Sequence, residues 1–209
     1  GTLDWLPLES RVTAHIEKDE GMYDAINRGF RRATGEIVAY LNCDEQYLPG
    51  ALEAVQREFV ENPDLDVLLT DLVVVDGNGD YICHRRSMKP RLNQMWLRFN
   101  VTTCSVFIRR SSLERMDLYF DTRWKALGDF FWYRKMLEQG ARIGLLRKFT
   151  SAFTETGANL ALSPTGLAER REKASMTPAW IRMTAPLHLA FYRLRMLASG
   201  VFFQKPFRY

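Results

Sequence analysis

Cysteine is scarce in these 209 residues: only Cys43, Cys83 and Cys104 occur. Their odd number, wide spacing and lack of any C-x-x-C pair exclude a disulfide framework and a cysteine zinc site, so the expected setting is reducing and cytoplasmic. Histidine is equally sparse. His15, His84 and His188 show neither H-x-x-x-H nor H-E-x-x-H, the spacings that present two imidazoles to one metal. No apolar run approaches the ~18 residues that span a bilayer, and Gly1-Thr2-Leu3-Asp4-Trp5 has no basic stretch leading into an apolar one. The expectation is neither a secretory precursor nor a membrane-spanning chain. Also missing are G-x-G-x-x-G after a strand, G-x-x-x-x-G-K-[ST] and G-x-S-x-G, which removes dinucleotide oxidoreductases, P-loop enzymes and α/β-hydrolases.

What is present is an ordinary globular composition, 46% hydrophobic and 26% charged. A chain of this length buries roughly 70% of its unfolded surface, enough for one sizeable core. The net charge of +4 is unevenly placed. Residues 167–209 hold eight Lys/Arg against two Glu, and the remainder holds 21 basic against 23 acidic residues. The body is thus near neutral and the tail cationic, which argues against a nucleic-acid-binding domain, whose basic surface should lie on the folded body.

Residues 11–17 alternate weakly and read as a short strand. Met22, Ile26, Phe30 and Ala33 fall at helical steps that end near Gly35. Ile37 to Leu41 is a continuous apolar run, the pattern of a strand covered on both faces. Pro49 introduces a second helix carried by Leu52, Val55 and Phe59. Asp66 to Val75 is strongly β-forming, and Asp76-Gly77-Asn78-Gly79-Asp80 separates it from Tyr81-Ile82-Cys83 as a hairpin turn. That turn resembles a calcium loop only in its first five positions; the sixth is Tyr81 and the twelfth Ser87, so it fails as one. Further elements are a strand over 103–108, a helix over 129–139 closed by Gly140, and a short strand over 143–146. After Ser163-Pro164 the pattern becomes two helical pieces, 167–175 and 178–199.

Two clusters can carry chemistry. Asn42-Cys43-Asp44-Glu45 follows the apolar run directly, and the crevice beyond strand C-termini is where open α/β sheets bind ligands. Two carboxylates and an amide there suit a hard cation, or they cap the helix that begins near Pro49. Asp129 opens the aromatic helix Phe130-Phe131-Trp132-Tyr133-Arg134. It is either a helix cap or a general base held near a substrate hydroxyl.

The order of these pieces carries a resemblance. Asp19-Glu20-Gly21-Met22-Tyr23-Asp24-Ala25-Ile26-Asn27-Arg28-Gly29, then Ala33-Thr34-Gly35-Glu36, Leu41-Asn42-Cys43-Asp44-Glu45 and Pro49-Gly50-Ala51-Leu52 resemble the family 2 glycosyltransferases of bacterial surface-polysaccharide synthesis. Leu127-Gly128-Asp129-Phe130-Phe131-Trp132-Tyr133-Arg134 resembles their acidic segment. The resemblance implies a GT-A-like α/β domain over residues 1–164, with a mixed, mainly parallel sheet flanked by helices and a helical appendage over 165–209. It implies a metal-dependent inverting transfer from a nucleotide-diphospho-sugar, UDP-linked, to a polysaccharide or lipid-linked acceptor in the cell envelope. Asp129 would be the catalytic base. Asp44 and Glu45 would hold Mg²⁺ or Mn²⁺, and Asp19, Asp24, Asn27, Asn42 and Asp44 would line the donor side.

Cys43 stands where the family has serine, and Glu45 where it has a second aspartate. The chain opens on what resembles the segment just after the family's D-G-S-x-D-G-T turn, so the expectation is an N-terminally incomplete domain. In the tail, Leu187, Ala190, Phe191, Leu194, Leu197, Ala198 and Val201 recur near helical spacing with Arg193 and Arg195 between them, and Arg182, Lys205 and Arg208 add further positive charge. Residues 178–209 therefore read either as an amphipathic helix packed on the domain or as a peripheral contact with an anionic membrane at the inner face of the plasma membrane. The rival to an enzyme is a catalytically inactive, glycosyltransferase-like binding or assembly subunit.

Overall fold

The computed structural model describes residues 2–6, 9–99, 101–157, 160 and 163–202. Its elements in order are α1 (Thr2–Trp5), α2 (Met22–Arg32), β1 (Ile37–Val38), β2 (Glu45–Tyr47), α3 (Ala51–Glu61), β3 (Val67–Val75), β4 (Tyr81–Arg85), α4 (Leu92–Met95), β5 (Val106–Arg109), α5 (Arg110–Arg115), α6 (Gly128–Glu138), β6 (Ile143–Thr154), α7 (Pro164–Met176), α8 (Ala179–Met183) and α9 (Ala185–Ala198).

One sheet organises the domain, in the order β1-β5-β3-β6-β2, with β4 also paired to β3. Strand β3 is its axis: all nine residues are buried. Successive side chains of a strand point to opposite faces, so Val67 and Leu69 enter one core with α2 and α6, whereas Leu68 enters a second with Val55 and Phe59 of α3. Helices on both faces of a mixed sheet result.

The sheet is less parallel than expected. Only β3 and β6 run parallel among the described pairs; β1 with β5, β2 with β6, β3 with β4 and β3 with β5 are antiparallel. Local chemistry accounts for one of these directions. The Asp76 carboxylate accepts N–H groups of Asn78 and Asp80, at 2.9 and 2.8 Å, and a turn this tight can only return antiparallel.

Several sequence boundaries move. Residues 11–17 form no strand: Val12 and Ile16 stay exposed, and Glu17 instead pairs with Arg32. The apolar run 37–41 is β-structure only at Ile37 and Val38, because Tyr40 turns into an aromatic cluster beside Phe120, with ring centroids 5.8 Å apart. Conversely β6 runs eight residues past its expected end at Leu146, to Thr154. The charged pair Arg147-Lys148 breaks the apolar pattern, yet the strand bulges there, and Arg147 reaches the Asp71 carboxylate at 3.0 Å and the Ser87 carbonyl at 2.7 Å. In the tail, Pro186 cannot continue a helix that includes Arg182, so the expected 178–199 helix divides into α8 and α9.

The tail helices lie against the body, but unevenly. Arg195 of α9 donates to the Gln94 side chain and the Lys89 carbonyl, each at 2.6 Å, and Arg91 sits 5.0 Å from the Phe191 ring centre. Even so, no residue of α9 is buried, and Leu187, Leu194 and Leu197 are 72%, 63% and 50% exposed. Lys205 and Arg208 lie outside the described residues. Among the described residues, no helix is long and apolar enough to cross a membrane.

Candidate active site

Asp129 stands in the first turn of α6 and is held from three directions. Its backbone N–H donates to the Tyr23 hydroxyl of α2 at 3.3 Å, and its carboxylate accepts the Phe130 N–H at 2.8 Å. Gly128 permits this approach: a Cβ there would lie 2.5 Å from the Tyr23 ring. That ring is stacked on Phe120, and Phe120 on Trp132, at centroid separations of 4.8 and 4.3 Å. The stack ties the start of α2 to the body of α6.

The third support comes from the tail. Glu169 of α7 is buried and accepts three consecutive backbone N–H groups, those of Lys125, Ala126 and Leu127, at 2.6, 3.0 and 2.8 Å. One carboxylate thus orders the segment leading into Asp129. Sequence reading missed it, because a glutamate on an amphipathic helix is unremarkable and its partners are backbone groups more than 40 positions away.

Burial pushes the Asp129 carboxyl up to about 6. The Phe130 N–H and the nearby Lys173 charge pull it down, and the Glu169 charge raises it further. Loss of hydration penalises the ionised form, so the proton is held more tightly than on an exposed aspartate. The outcome is a carboxylate ionised at neutral pH but basic enough to accept a proton.

The turn after β1 separates its carboxylates. Asp44 is exposed, and its carboxylate has no partner among the described residues, while its backbone carbonyl accepts the Thr154 hydroxyl at 2.5 Å. Glu45 faces inward. One of its oxygens accepts the Asn42 N–H at 2.8 Å; the other is buried without a hydrogen-bond partner, and burial raises its pKa against the pull of that N–H. Asp44 therefore fits a divalent cation whose other oxygens come from water and a ligand, whereas Glu45, held inside the turn, does not fit as a ligand in this arrangement. Among the described residues no group of three or more His, Cys, Asp or Glu side chains is gathered to hold a metal. The buried Tyr40 hydroxyl feels the charges of both Glu45 and Asp129, which places the turn and the head of α6 around one tyrosine.

The expected donor-side residues divide similarly. Asp19 is exposed at the entrance to α2 and accepts the Gly21 N–H at 2.9 Å. Asp24 accepts the Glu20 N–H at 3.0 Å and pairs with Arg28 at 2.6 Å. Lys125 donates to the Glu20 carbonyl at 2.9 Å, bringing this rim to the segment before Asp129. Asn27 is spent on the fold: its amide donates to the Phe120 carbonyl and accepts the Phe120 N–H, both at 2.8 Å, deep in the core. Asn42 is half-buried at the head of the turn.

This arrangement has known counterparts. The Staphylococcus aureus TarS 1–349 structure in complex with UDP-GlcNAc superposes with a TM-score of 0.65 at 19% identity, covering 83% of this chain and 52% of that one. TarS 1–349 in complex with UDP gives 0.55 at 18% identity, over 84% and 57%. Both likenesses concern the fold, a GT-A-like α/β domain. In sequence, a PGL/p-HBAD biosynthesis glycosyltransferase of Mycobacterium bovis is 27% identical over 124 residues, 59% of this chain and 46% of that protein. An uncharacterized glycosyltransferase of Nostoc is 29% identical over 84 residues, 40% and 26%. The chain thus spans less than half the length of these curated relatives. The model of Glycosyl transferase family 2 matches residues 9–137, and the chain belongs to that family.

Proposed function

We propose that this chain transfers a sugar from a nucleoside-diphosphate donor, a UDP-sugar, to a hydroxyl of a polysaccharide or lipid-linked acceptor, with inversion at the anomeric carbon. The observation that carries this reading is Asp129, a half-buried carboxylate lifted to about 6 at the head of α6 and supported by Tyr23 and Glu169. The presence of UDP-GlcNAc and UDP in the TarS complexes supports the donor class.

In a single displacement the acceptor oxygen attacks the anomeric carbon as the bond to the diphosphate breaks on the opposite face, which inverts configuration. Asp129 accepts the hydroxyl proton, a contribution of typically ~10²–10⁴-fold. Asp44 would hold Mg²⁺ or Mn²⁺, which as a Lewis acid offsets the charge of the departing diphosphate. Asp19, Asp24 and Asn42, on the rim and the turn, would contact the donor. The exposed apolar side chains of α8 and α9, with Arg182 and Arg193 beside them, support peripheral contact with an anionic membrane on the cytoplasmic side.

Calorimetry of the full encoded protein with UDP tests the donor assignment. Wild type should bind UDP with heat that depends on Mn²⁺, and Asp44→Ala should weaken that binding at least ~10-fold. Equal, metal-independent heats in both proteins would instead favour a non-catalytic assembly subunit.

A further inference from the structure

Beside the head of α6 lies a cleft of about 600 Å³ whose lining includes Trp96, Phe130, Arg98, Arg170, Lys173 and Arg182. It is within the ordinary size of a small-molecule site, ~300–1,000 Å³. Four cations converge there from three parts of the chain: the segment after α4, then α7, then α8. Among the described residues none of the four forms an ion pair, although ten other arginines and lysines do. Of the carboxylates close at hand, Asp129 draws on Lys173 alone among the four, and the two of α7 are already committed. Glu169 is turned onto its three backbone N–H groups, and Glu172 pairs with Arg123 on another side of α7.

Gathering like charges is unfavourable unless something offsets it. Lys173 feels this: burial together with the Arg170 charge lowers its pKa against the opposing Asp129 charge, and its ammonium lies 4.4 Å from the centre of the Phe130 ring, an attractive contact that offsets part of the cost. A bound anion would relieve that repulsion. Three guanidiniums and an ammonium lining one cleft suit phosphate oxygens in charge and donor type, since arginine offers paired donors and lysine a point charge. The cleft is also adjacent to the base, since its wall contains Leu127 and Phe130, the residues on either side of Gly128-Asp129.

We propose that this cleft binds a phosphate or diphosphate group of the acceptor, so that the substrate brought to Asp129 is a phosphate-bearing saccharide or lipid carrier. The proposal rests on the reading of Asp129 as the base. It deepens that reading by assigning the acceptor a charge and naming Arg98, Arg170, Lys173 and Arg182 as its contacts.

The test uses inorganic pyrophosphate as the probe, titrated calorimetrically into the full protein in EDTA, so that metal and donor play no part. Arg170→Gln/Arg182→Gln is compared with Lys18→Gln/Arg57→Gln, which removes the same charge from exposed positions elsewhere. All four side chains are exposed, and thermal melts verify that both pairs remain folded. Wild type and the Lys18/Arg57 pair should bind pyrophosphate alike, and the Arg170/Arg182 pair at least ~10-fold more weakly. No binding by wild type, or equal losses in the two pairs, would overturn the proposal. A second arm uses vesicles of phosphatidylglycerol and of phosphatidylcholine. Selective loss of phosphatidylglycerol binding in the Arg170/Arg182 pair, with no pyrophosphate binding by wild type, would overturn it in favour of a lipid headgroup. Because neither metal nor donor is present, a negative result here leaves the assignments of Asp44 and Asp129 standing, and their failure in turnover leaves this result readable.

Discussion

At Asp129 two opposing fields meet. The Glu169 charge raises its proton affinity, the Lys173 charge lowers it, and burial sets the level on which both act. Removing either charge should therefore move the acid limb of the pH–rate profile in opposite directions. With Glu169→Gln the limb shifts below 6, and with Lys173→Gln it shifts above 6, as read from kcat/KM between pH 5 and 8. Shifts of the same sign would show that these side chains act through structure rather than charge. Asp129 itself was legible in the sequence because glycine, aspartate and an aromatic run form a local motif. Glu169 and Lys173 were not, since their meaning lies in contacts made across more than 40 residues. Asn27 shows the converse: it sits within a recognisable motif, yet the structure commits its amide to Phe120.

Between elements, the contact that matters most is α2 against α6. Tyr23 reaches over Gly128, stacks on Phe120 and accepts the Asp129 N–H, so a small residue at 128 is a packing requirement. Gly128→Ala places a methyl carbon 2.5 Å from a buried ring that has nowhere to move. Overpacking of this kind typically costs ~1–3 kcal/mol, which denaturant unfolding should detect, with activity falling as Asp129 is displaced. A variant as stable and active as wild type would mean that the two helices are more loosely coupled than this packing indicates. Elements whose identity depends on local pattern were readable: α2, α3, β3, the Asp76 hairpin turn and α6 all occur within a few residues of their expected places. Those that depend on partners were not. The 11–17 segment alternates but has no neighbouring strand to pair with, and β6 continues through Arg147-Lys148 because the buried Asp71 carboxylate receives the charge.

Over the whole molecule, the uneven charge of the sequence gains a location. Over its described residues, to 202, the cationic tail is neither a free arm nor a fully packed layer. Helix α7 is built into the segment before Asp129 through Glu169, while α9 holds on by Arg195 and leaves much of its apolar surface open. The tail thus joins two tasks: it orders the approach to Asp129 and lines the cationic cleft beside it. The family and the layered α/β plan were visible from spaced motifs. The antiparallel bias of the sheet and the inward turn of Glu45 were not, because pairing direction and side-chain orientation are settled by neighbours. The central claim is that Asp129 takes the acceptor proton while Asp44 holds the metal. It is tested most directly by UDP release from a UDP-sugar with Mn²⁺ and acceptor, measured against pH for wild type, Asp129→Asn and Asp44→Ala. The account predicts a wild-type rate that falls below about pH 6, a loss of at least ~10²-fold without the Asp129 base and no acid limb in what remains, and strong loss in Asp44→Ala at every pH. Undiminished turnover in both variants would contradict it.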